Sequence, residues 1–373
     1  MSHKIKIPWA KPEIGKEELN AVIETFKSNW LTTGKKVKSL EKYLSKYLDV
    51  EHAIAVSNGT DAIDVALKTI GVGQGHEVIV PASSYIATAS AVSYQNATPV
   101  FVDIDAKTMN IQPERIVEAI SENTRAIIFI DYGGFPAEGD KVRAIAKEYN
   151  IPVILDGAHS IGTFFKGETT ISQNEISTMS FHMAKTFTTV EGGMVFTKND
   201  DWAEQIRIRI NQGESGLEKY DHVLLGTNAR MTDISASIGL EQCKKIDQIL
   251  LSRKEIAKQY DKFFKNSENI FYLADSIDSK NSYFLYPIQI EDRDKIAQEL
   301  LIDHGIDTRI SWPKAIYDQS LYKLGDNPFK KFDCPNAENS TKKILNLPLF
   351  PSMTNEQVAY VAKTLIKLTN SKL

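Results

Sequence analysis

The chain has 373 residues, 42% of them hydrophobic, which is enough for a large buried core and a second, smaller domain. Its formal net charge of −4 offers no basic field to nucleic acid or to an anionic membrane surface. Because it also has only two cysteines, no apolar signal core at its N-terminus and no run of about 20 apolar residues, we expect a cytoplasmic globular protein without disulfides or a membrane span.

After a helical pattern at residues 17–26, β-branched runs alternate with helical patterns over residues 50–200. Strands are predicted at 52–56, 77–81, 99–102, 126–131, 153–156, 178–182 and 194–197. Helices are predicted between most of them, at 61–70, 87–94, 113–120 and 141–149. This alternation is typical of βαβ units in a mostly parallel, buried sheet. In such sheets ligands bind at the carboxyl ends of the strands.

The pattern changes after residue 231. A long helix is predicted from there to about residue 257, then a polar loop at 266–282, a strand at 283–290, a helix at 293–304 and a final amphipathic helix at 355–368. We therefore predict a large domain over residues 1–245 and a smaller α/β domain over residues 246–373.

Two reactive side chains follow buried strands of the first domain. Lys185 comes soon after the apolar run at 176–181, and Asp156 ends the run at 151–155. On their own, a lysine is usually at the surface and an Asp before Gly157 usually belongs to a turn. The apolar neighbours of Lys185 argue against a surface position, and desolvation there lowers the pKa of the amine. Pyridoxal phosphate (PLP) chemistry requires this pair, an amine for a Schiff base and a carboxylate that keeps the pyridine nitrogen protonated.

The segment Ser57-Asn58-Gly59-Thr60-Asp61 links a predicted strand to a helix, as a phosphate site requires. Gly59 permits a close turn, and the N–H groups of Thr60 and Asp61 open the helix. Ser180, close to Lys185, can add a second hydroxyl. The alternative is an N-capping turn without a ligand, since Ser, Asn and Thr are good caps.

Two further residues suit the ring of the cofactor. Tyr85 follows a strand end and can stack on a flat heteroaromatic ring, or it is a partly buried core tyrosine. His159 lies three residues after Asp156 and can donate a hydrogen bond to the phenolic oxygen. The alternative for a single histidine is a structural role.

Other kinds of site find little support. The run Gly71-Val72-Gly73-Gln74-Gly75 follows a helix and precedes a strand, whereas a dinucleotide fingerprint must follow a strand and open a helix. We interpret it as the C-terminal turn of a helix. The seven histidines and two cysteines show no metal spacing, so no metal site is predicted.

Taken together, these segments resemble the PLP-dependent nucleotide-sugar aminotransferases of the DegT/DnrJ/EryC1/StrS family. The similarity covers nearly the whole chain and is carried by residues 29–34, 57–62, 77–81, 99–105, 156–160, 180–193 and 228–233. It implies an α/β architecture of fold type I (aspartate aminotransferase-like), with a mostly parallel seven-stranded sheet and a smaller C-terminal α/β domain. It also implies a homodimer with shared active sites.

The resemblance also implies roles for individual residues. Lys185 is the Schiff-base lysine, Asp156 the pyridinium partner and His159 the phenolate partner, with Tyr85 stacking on the ring. The remaining roles are phosphate binding by Gly59, Thr60, Asp61 and Ser180, phosphate binding from the neighbouring subunit by Asn228, and substrate binding by Thr33, Arg230 and Tyr317.

The implied reaction transfers an amino group from glutamate or glutamine to a nucleotide-linked keto-sugar, in deoxyamino-sugar and lipopolysaccharide biosynthesis. Ser-Phe-His before Lys185 favours amination at C4 of a 4-keto-6-deoxyhexose. Departures from the family pattern at Val190, where relatives usually have glycine, and at Thr227, Ala229 and Tyr317 leave a C3-aminating enzyme open. There are three further alternatives. One is a dehydratase of the same family, in which histidine replaces the lysine. The others are a nucleotide-sugar oxidoreductase and a catalytically silent binding protein.

Overall fold

The computed structural model describes residues 5–325 and 327–370. Its strands are β1 His52–Val56, β2 Glu77–Pro81, β3 Thr98–Val102, β4 Thr124–Ile130, β5 Val153–Asp156, β6 Phe164–Phe165, β7 Glu168–Thr169, β8 Ile176–Ser180, β9 Gly193–Thr197, β10 Phe271–Tyr272, β11 Ser279–Lys280, β12 Pro287–Gln289, β13 Lys330–Lys331 and β14 Ile344–Asn346.

The helices lie mostly between these strands. They are α1 Lys16–Lys27, α2 Lys35–Leu48, α3 Gly59–Thr69, α4 Ile86–Tyr94, α5 Pro113–Ala119, α6 Gly139–Glu148, α7 Asp200–Ile210, α8 Asp233–Cys243, α9 Ile246–Phe264, α10 Arg293–Ile302, α11 Ser320–Lys323, α12 Pro335–Lys343 and α13 Asn355–Asn370. Two 3₁₀ turns lie at Tyr132–Gly134 and Ile316–Asp318. None of the helices within the described residues combines the length and the apolar character that crossing a bilayer demands.

The large sheet has the strand order β1-β9-β8-β5-β4-β2-β3-β13. Only β9 runs antiparallel to its neighbours, and the other pairs are parallel. The predicted seven strands are therefore all present, and the two-residue strand β13 adds an eighth at the edge. The carboxyl ends of β4, β5 and β8 consequently meet on one side of the sheet.

Both faces of the large sheet are covered. In β1, Ile54 and Val56 belong to one apolar cluster, whereas the alternating residues Ala53 and Ala55 belong to the other. This division follows from the alternation of side chains along a strand. A parallel sheet buried on both faces accounts for the nearly continuous apolar runs in the sequence.

The C-terminal part builds a third apolar cluster around the small sheet β10-β12-β14. Helices α9 and α13 pack on each other and contribute to this cluster. The chain between them returns to the large sheet, where β13 pairs with β3. The division at residues 245 and 246 remains a prediction.

Two predicted elements are wrong in extent. The single long helix predicted from residue 231 is two helices, α8 and α9, because the backbone leaves the helical path at Lys245 (φ −111°, ψ −8°). The strand predicted at 283–290 is reduced to β12. Tyr283 adopts a left-handed φ of 51°, and Leu285 donates its N–H to the Gly133 carbonyl and not to a strand.

Candidate active site

A cavity of about 760 Å³ opens at the carboxyl ends of the central strands. This volume lies within the range of small-molecule and cofactor sites. Eight of the predicted cofactor residues line it, namely Gly59, Thr60, Asp61, Tyr85, Asp156, His159, Ser180 and Lys185, and so does Asn58 of the same turn. The structure therefore gathers the proposed cofactor residues at one place.

Lys185 lies in the loop between β8 and β9 and lines the cavity. Burial lowers the pKa of its amine to about 8, although the nearby Asp156 carboxylate acts in the opposite direction. At pH 7 about one amine in ten is then neutral, against about one in 2,500 for an ordinary lysine. Lys185 is therefore prepared to act as a nucleophile and as a base.

Asp156 ends β5 and is only 8% exposed. Its Oδ2 accepts a hydrogen bond of 2.9 Å from the Thr88 hydroxyl, which is in turn 2.7 Å from the Ser84 hydroxyl. Burial raises the pKa of Asp156, while the Thr88 hydrogen bond and the charge of Lys185 oppose that rise. A buried carboxylate that lines the cavity suits a cationic ring nitrogen.

His159 presents one defined nitrogen to the cavity. Its Nδ1 accepts a hydrogen bond of 3.2 Å from the Gly133 N–H, so the proton of the neutral imidazole lies on Nε2. Burial, and secondarily the charge of Lys185, lower the pKa of His159 well below its usual value. A neutral Nε2–H donor at this position fits the predicted bond to a phenolic oxygen.

The phosphate-binding turn lies at the N-terminus of α3. The first N–H groups of a helix have no carbonyl partner within it, so those of Gly59 and Thr60 are available to a ligand. Ser180 packs so closely that a Cβ on Gly59 would lie 2.7 Å from the Ser180 Cβ. Asp61 differs, because its N–H binds the Asn58 side chain at 2.9 Å. The turn therefore contains an N-capping hydrogen bond, as in a turn without a ligand, and it also leaves the N–H groups of Gly59 and Thr60 available to a phosphate.

Tyr85 immediately precedes α4 and is 60% exposed, so its ring is free on the cavity side. The glycine run at residues 71–75 follows the end of α3, where Gly71 has a φ of +78°. Gly71 donates its N–H to the Lys68 carbonyl at 3.2 Å, which supports the helix C-terminal turn and not a nucleotide fingerprint.

Four predicted residues lie outside this cavity. Thr33 donates to the Met231 carbonyl at 2.7 Å, Arg230 to the Asn211 side chain at 2.8 Å, and Asn228 is exposed beside the bridge to Asn211. Their roles remain predictions, which for Asn228 concern the neighbouring subunit. Tyr317 is 3% exposed, and its hydroxyl donates to Glu338 at 2.8 Å. That core position gives no support to a substrate-binding role for Tyr317.

Several residues that line the cavity were not assigned to it from the sequence. The most prominent are Phe284, Trp312, His182 and Glu191. Phe284 and Trp312 come from the C-terminal part of the chain and carry no local motif. His182 and Glu191 lie within six residues of Lys185 in the sequence, so their place in the cavity could have been predicted from the position of the lysine. Thr88 contacts the site through Asp156, and nothing in the sequence distinguishes it from the serines of the same helix.

The donor set fits PLP. The cavity combines an amine, a buried carboxylate, a neutral imidazole, an open aromatic face and a helix N-terminus, which are the partners of the aldehyde, ring and phosphate. Over residues 5–325 and 327–370 there is no group of three or more His, Cys, Asp or Glu that can hold a metal ion.

Comparisons with known proteins agree with this geometry. The sequence model of the DegT/DnrJ/EryC1/StrS aminotransferase family matches residues 12–366. MJ1066, an uncharacterized protein of Methanocaldococcus jannaschii, is 35% identical over 377 residues, which cover 98% of each chain.

Two solved structures are also similar. The PLP-form of Spr1654 from Streptococcus pneumoniae, provisionally named a sugar aminotransferase, has a TM-score of 0.91 at 32% identity and covers 98% of this chain and 99% of that one. PseC from Helicobacter pylori, an aminotransferase involved in the biosynthesis of pseudoaminic acid, has a TM-score of 0.92 at 27% identity and covers 98% and 99%. These likenesses, with a PMP-form of Spr1654, confirm the predicted fold type and the predicted cofactor.

Proposed function

Because this chain belongs to the DegT/DnrJ/EryC1/StrS family of sugar aminotransferases and uses pyridoxal phosphate, we propose that it moves an amino group from glutamate to the carbonyl carbon of a nucleotide-linked keto-sugar. The observation that carries this proposal is the meeting of Lys185 and Asp156 in one cavity, with burial lowering the pKa of the amine to about 8.

When bound, PLP supplies an aldehyde carbon that links to amines and a ring that accepts an electron pair from the adjacent carbon. Lys185 would hold the cofactor through its neutral amine. Lys185 would also serve as the base that takes the proton from the donor α-carbon and as the acid that returns it.

The other residues act on the charge of the ring. Asp156 would hold a proton on the ring nitrogen, and Thr88 keeps one carboxylate oxygen oriented through its 2.9 Å hydrogen bond. His159 would donate from Nε2 to the phenolic oxygen. The sugar half-reaction uses the same residues in the reverse order, so the proposal predicts ping-pong kinetics.

The proposed position of amination is C4 of a 4-keto-6-deoxyhexose. Support comes from the Ser180-Phe181-His182 sequence before the lysine, and His182 lines the cavity. The proposal includes a homodimer, to whose second active site Asn228 contributes, and a cytoplasmic location.

The test begins with the reconstituted enzyme. A visible absorbance band that borohydride bleaches, and that glutamate removes in a single turnover, is the expected result. The Lys185→Ala variant is the control and should show no borohydride-sensitive band. A band that withstands glutamate and glutamine alike would indicate a silent binder and refute the proposal.

A second stage identifies the sugar. The glutamate-treated enzyme is mixed with 4-keto-6-deoxy and 3-keto-6-deoxy nucleotide sugars, and the band should return only with the 4-keto compounds. Recovery with 3-keto compounds alone would refute the C4 assignment and leave the aminotransferase activity standing.

A further inference from the structure

The segment formed by residues 282–285 joins the C-terminal part of the chain to the floor of the active site. Ser282 donates its N–H to the Gly134 carbonyl at 3.1 Å and its hydroxyl to the His159 carbonyl at 2.9 Å. Leu285 donates its N–H to the Gly133 carbonyl at 3.0 Å. Gly133 is the residue whose own N–H fixes the His159 tautomer, so the segment and the histidine share one hydrogen-bonded unit.

Phe284 is the side chain that this segment places in the cavity, where it is 7% exposed. Its ring is stacked on the His159 imidazole, with centroids 4.3 Å apart and planes at 27°. The Lys185 Nζ lies 4.8 Å from the centre of the same ring. One aromatic ring thus contacts both the amine that forms the cofactor bond and the imidazole that faces the phenolic oxygen.

Arg253, on α9, binds the two backbone carbonyls on either side of the Phe284 Cα. Its Nε donates to the Tyr283 carbonyl at 2.8 Å and its Nη2 to the Phe284 carbonyl at 2.7 Å. Burial lowers the pKa of Arg253 to about 9, which still leaves it charged at neutral pH. Among the ion pairs of the described residues there is none that gives Arg253 a carboxylate partner.

The burial of the Arg253 guanidinium costs free energy, which suggests that its role is to fix the backbone around Phe284. A buried guanidinium with only carbonyl partners loses hydration that two hydrogen bonds restore in part. Tyr283, whose carbonyl it binds, also has the left-handed φ of 51° that is rare for an aromatic residue. Both unfavourable features meet at the peptide that carries Phe284.

We propose that Phe284 is a further residue of the catalytic site and that Arg253 is its positioning residue, holding the aromatic face against the Lys185 nitrogen and the His159 ring. This inference rests on the proposed function. The electron-rich face of a ring attracts a cationic nitrogen, so Phe284 stabilises Lys185 nitrogen in its protonated state. That is the state Lys185 reaches after it takes the proton from the amino donor.

The test is a pH titration of the absorbance band of the reconstituted enzyme, whose midpoint reports protonation of the nitrogen at the Lys185 position. Phe284→Leu retains the apolar bulk and removes the aromatic face, so the midpoint should fall by about half a pH unit. Phe284→Tyr retains the face and should keep the wild-type midpoint. Equal midpoints for Phe284→Leu and the wild type would overturn the role of Phe284.

Arg253 is tested by a double-mutant cycle on the same midpoint. Arg253→Lys keeps the charge but replaces the rigid pair of donors, Nε and Nη2, with one flexible ammonium, and should lower the midpoint in the wild-type background. In the Phe284→Leu background it should add nothing, because its effect passes through the ring. An equal shift in both backgrounds would overturn the positioning role, since a general structural disturbance predicts that result.

Two further outcomes separate the possible failures. If Arg253→Lys does not fold, Arg253→Gln, which is neutral and costs less to bury, takes its place in the same cycle. A wild-type enzyme without a borohydride-sensitive band would overturn the proposed function itself, whereas a normal wild-type titration with an unshifted Phe284→Leu variant would overturn this inference alone.

Discussion

Replacing Gly193 with alanine tests whether the phosphate-binding turn depends on the Gly-Gly pair that follows Lys185. Gly193 opens β9 and pairs with Val56 and Ser180, the last residues of the two strands beside it. A Cβ at this position would lie 2.5 Å from the carbonyl carbon and oxygen of Asn58 and 2.9 Å from the Gly59 nitrogen. These are backbone atoms, so no rotation of a side chain can relieve the overlap.

The size of the effect follows from these distances. Ordinary contact begins near 3.4 Å, so the Asn58–Gly59 peptide must move by about 0.9 Å. Overpacking of this kind costs about 1–3 kcal/mol. With an unfolding entropy of roughly 2.1 cal/mol/K per residue over the whole chain, the Tm should fall by about 1–4 °C. Loss of one hydrogen bond to a charged phosphate should weaken PLP binding about 10- to 100-fold.

The assay measures the Kd of the apo-protein for PLP by absorbance, and Tm by calorimetry. Gly73→Ala is the matched control, because a Cβ there meets nothing within 4 Å and its backbone is not left-handed. If Gly193→Ala binds PLP within roughly twofold of that control, the turn does not depend on Gly193 and the reasoning fails.

Four other predictions concern the same site. Asp156→Asn should still bind PLP but react with glutamate at least about 100-fold more slowly in single-turnover measurements, because a neutral amide does not keep the ring nitrogen protonated; normal turnover would refute the electron-sink role. Thr88→Val removes the 2.9 Å bond to Asp156 and should slow the same step about 10-fold, while Thr88→Ser restores it. Val190→Gly should raise the free energy of unfolding by about 0.5–1 kcal/mol, because Val190 is 43% exposed and has a left-handed φ of 72°. The control is Val223→Gly, at a 50% exposed position without a left-handed φ, which should lower the free energy of unfolding. Burial lowers the pKa of Lys185 to about 8, so the amine is mostly protonated and unreactive below that pH. The rate at which apo-protein captures PLP should therefore rise about tenfold from pH 6 to 7 and level off above pH 8. A rise that continues to pH 10 would indicate an ordinary lysine.

The departure at Val190 shows how sequence and structure combine. The resemblance indicated that relatives have glycine at this position, and the structure supplies the reason, since the backbone there has a left-handed φ. A β-branched residue in this region is strained. The Val190→Gly measurement therefore also tests whether the turn after Lys185 retains that geometry in solution.

The sequence by itself determined the elements that depend on neighbouring residues. The β-branched runs and the helical periodicity predicted the strands of the large sheet, and the positions of Asp156 and Lys185 near strand ends predicted that they would meet. This is possible because parallel strands bring their carboxyl ends to one edge whatever their separation along the chain.

Tertiary structure decided the contacts between distant parts of the chain. The stacking of Phe284 on His159 and the support of Phe284 by Arg253 depend on how α9 and residues 282–285 pack against the large sheet. The burial of Tyr317 beside Glu338 has the same origin. No local pattern encodes such contacts, because packing of the whole intervening chain sets the distance between two residues that are far apart in sequence.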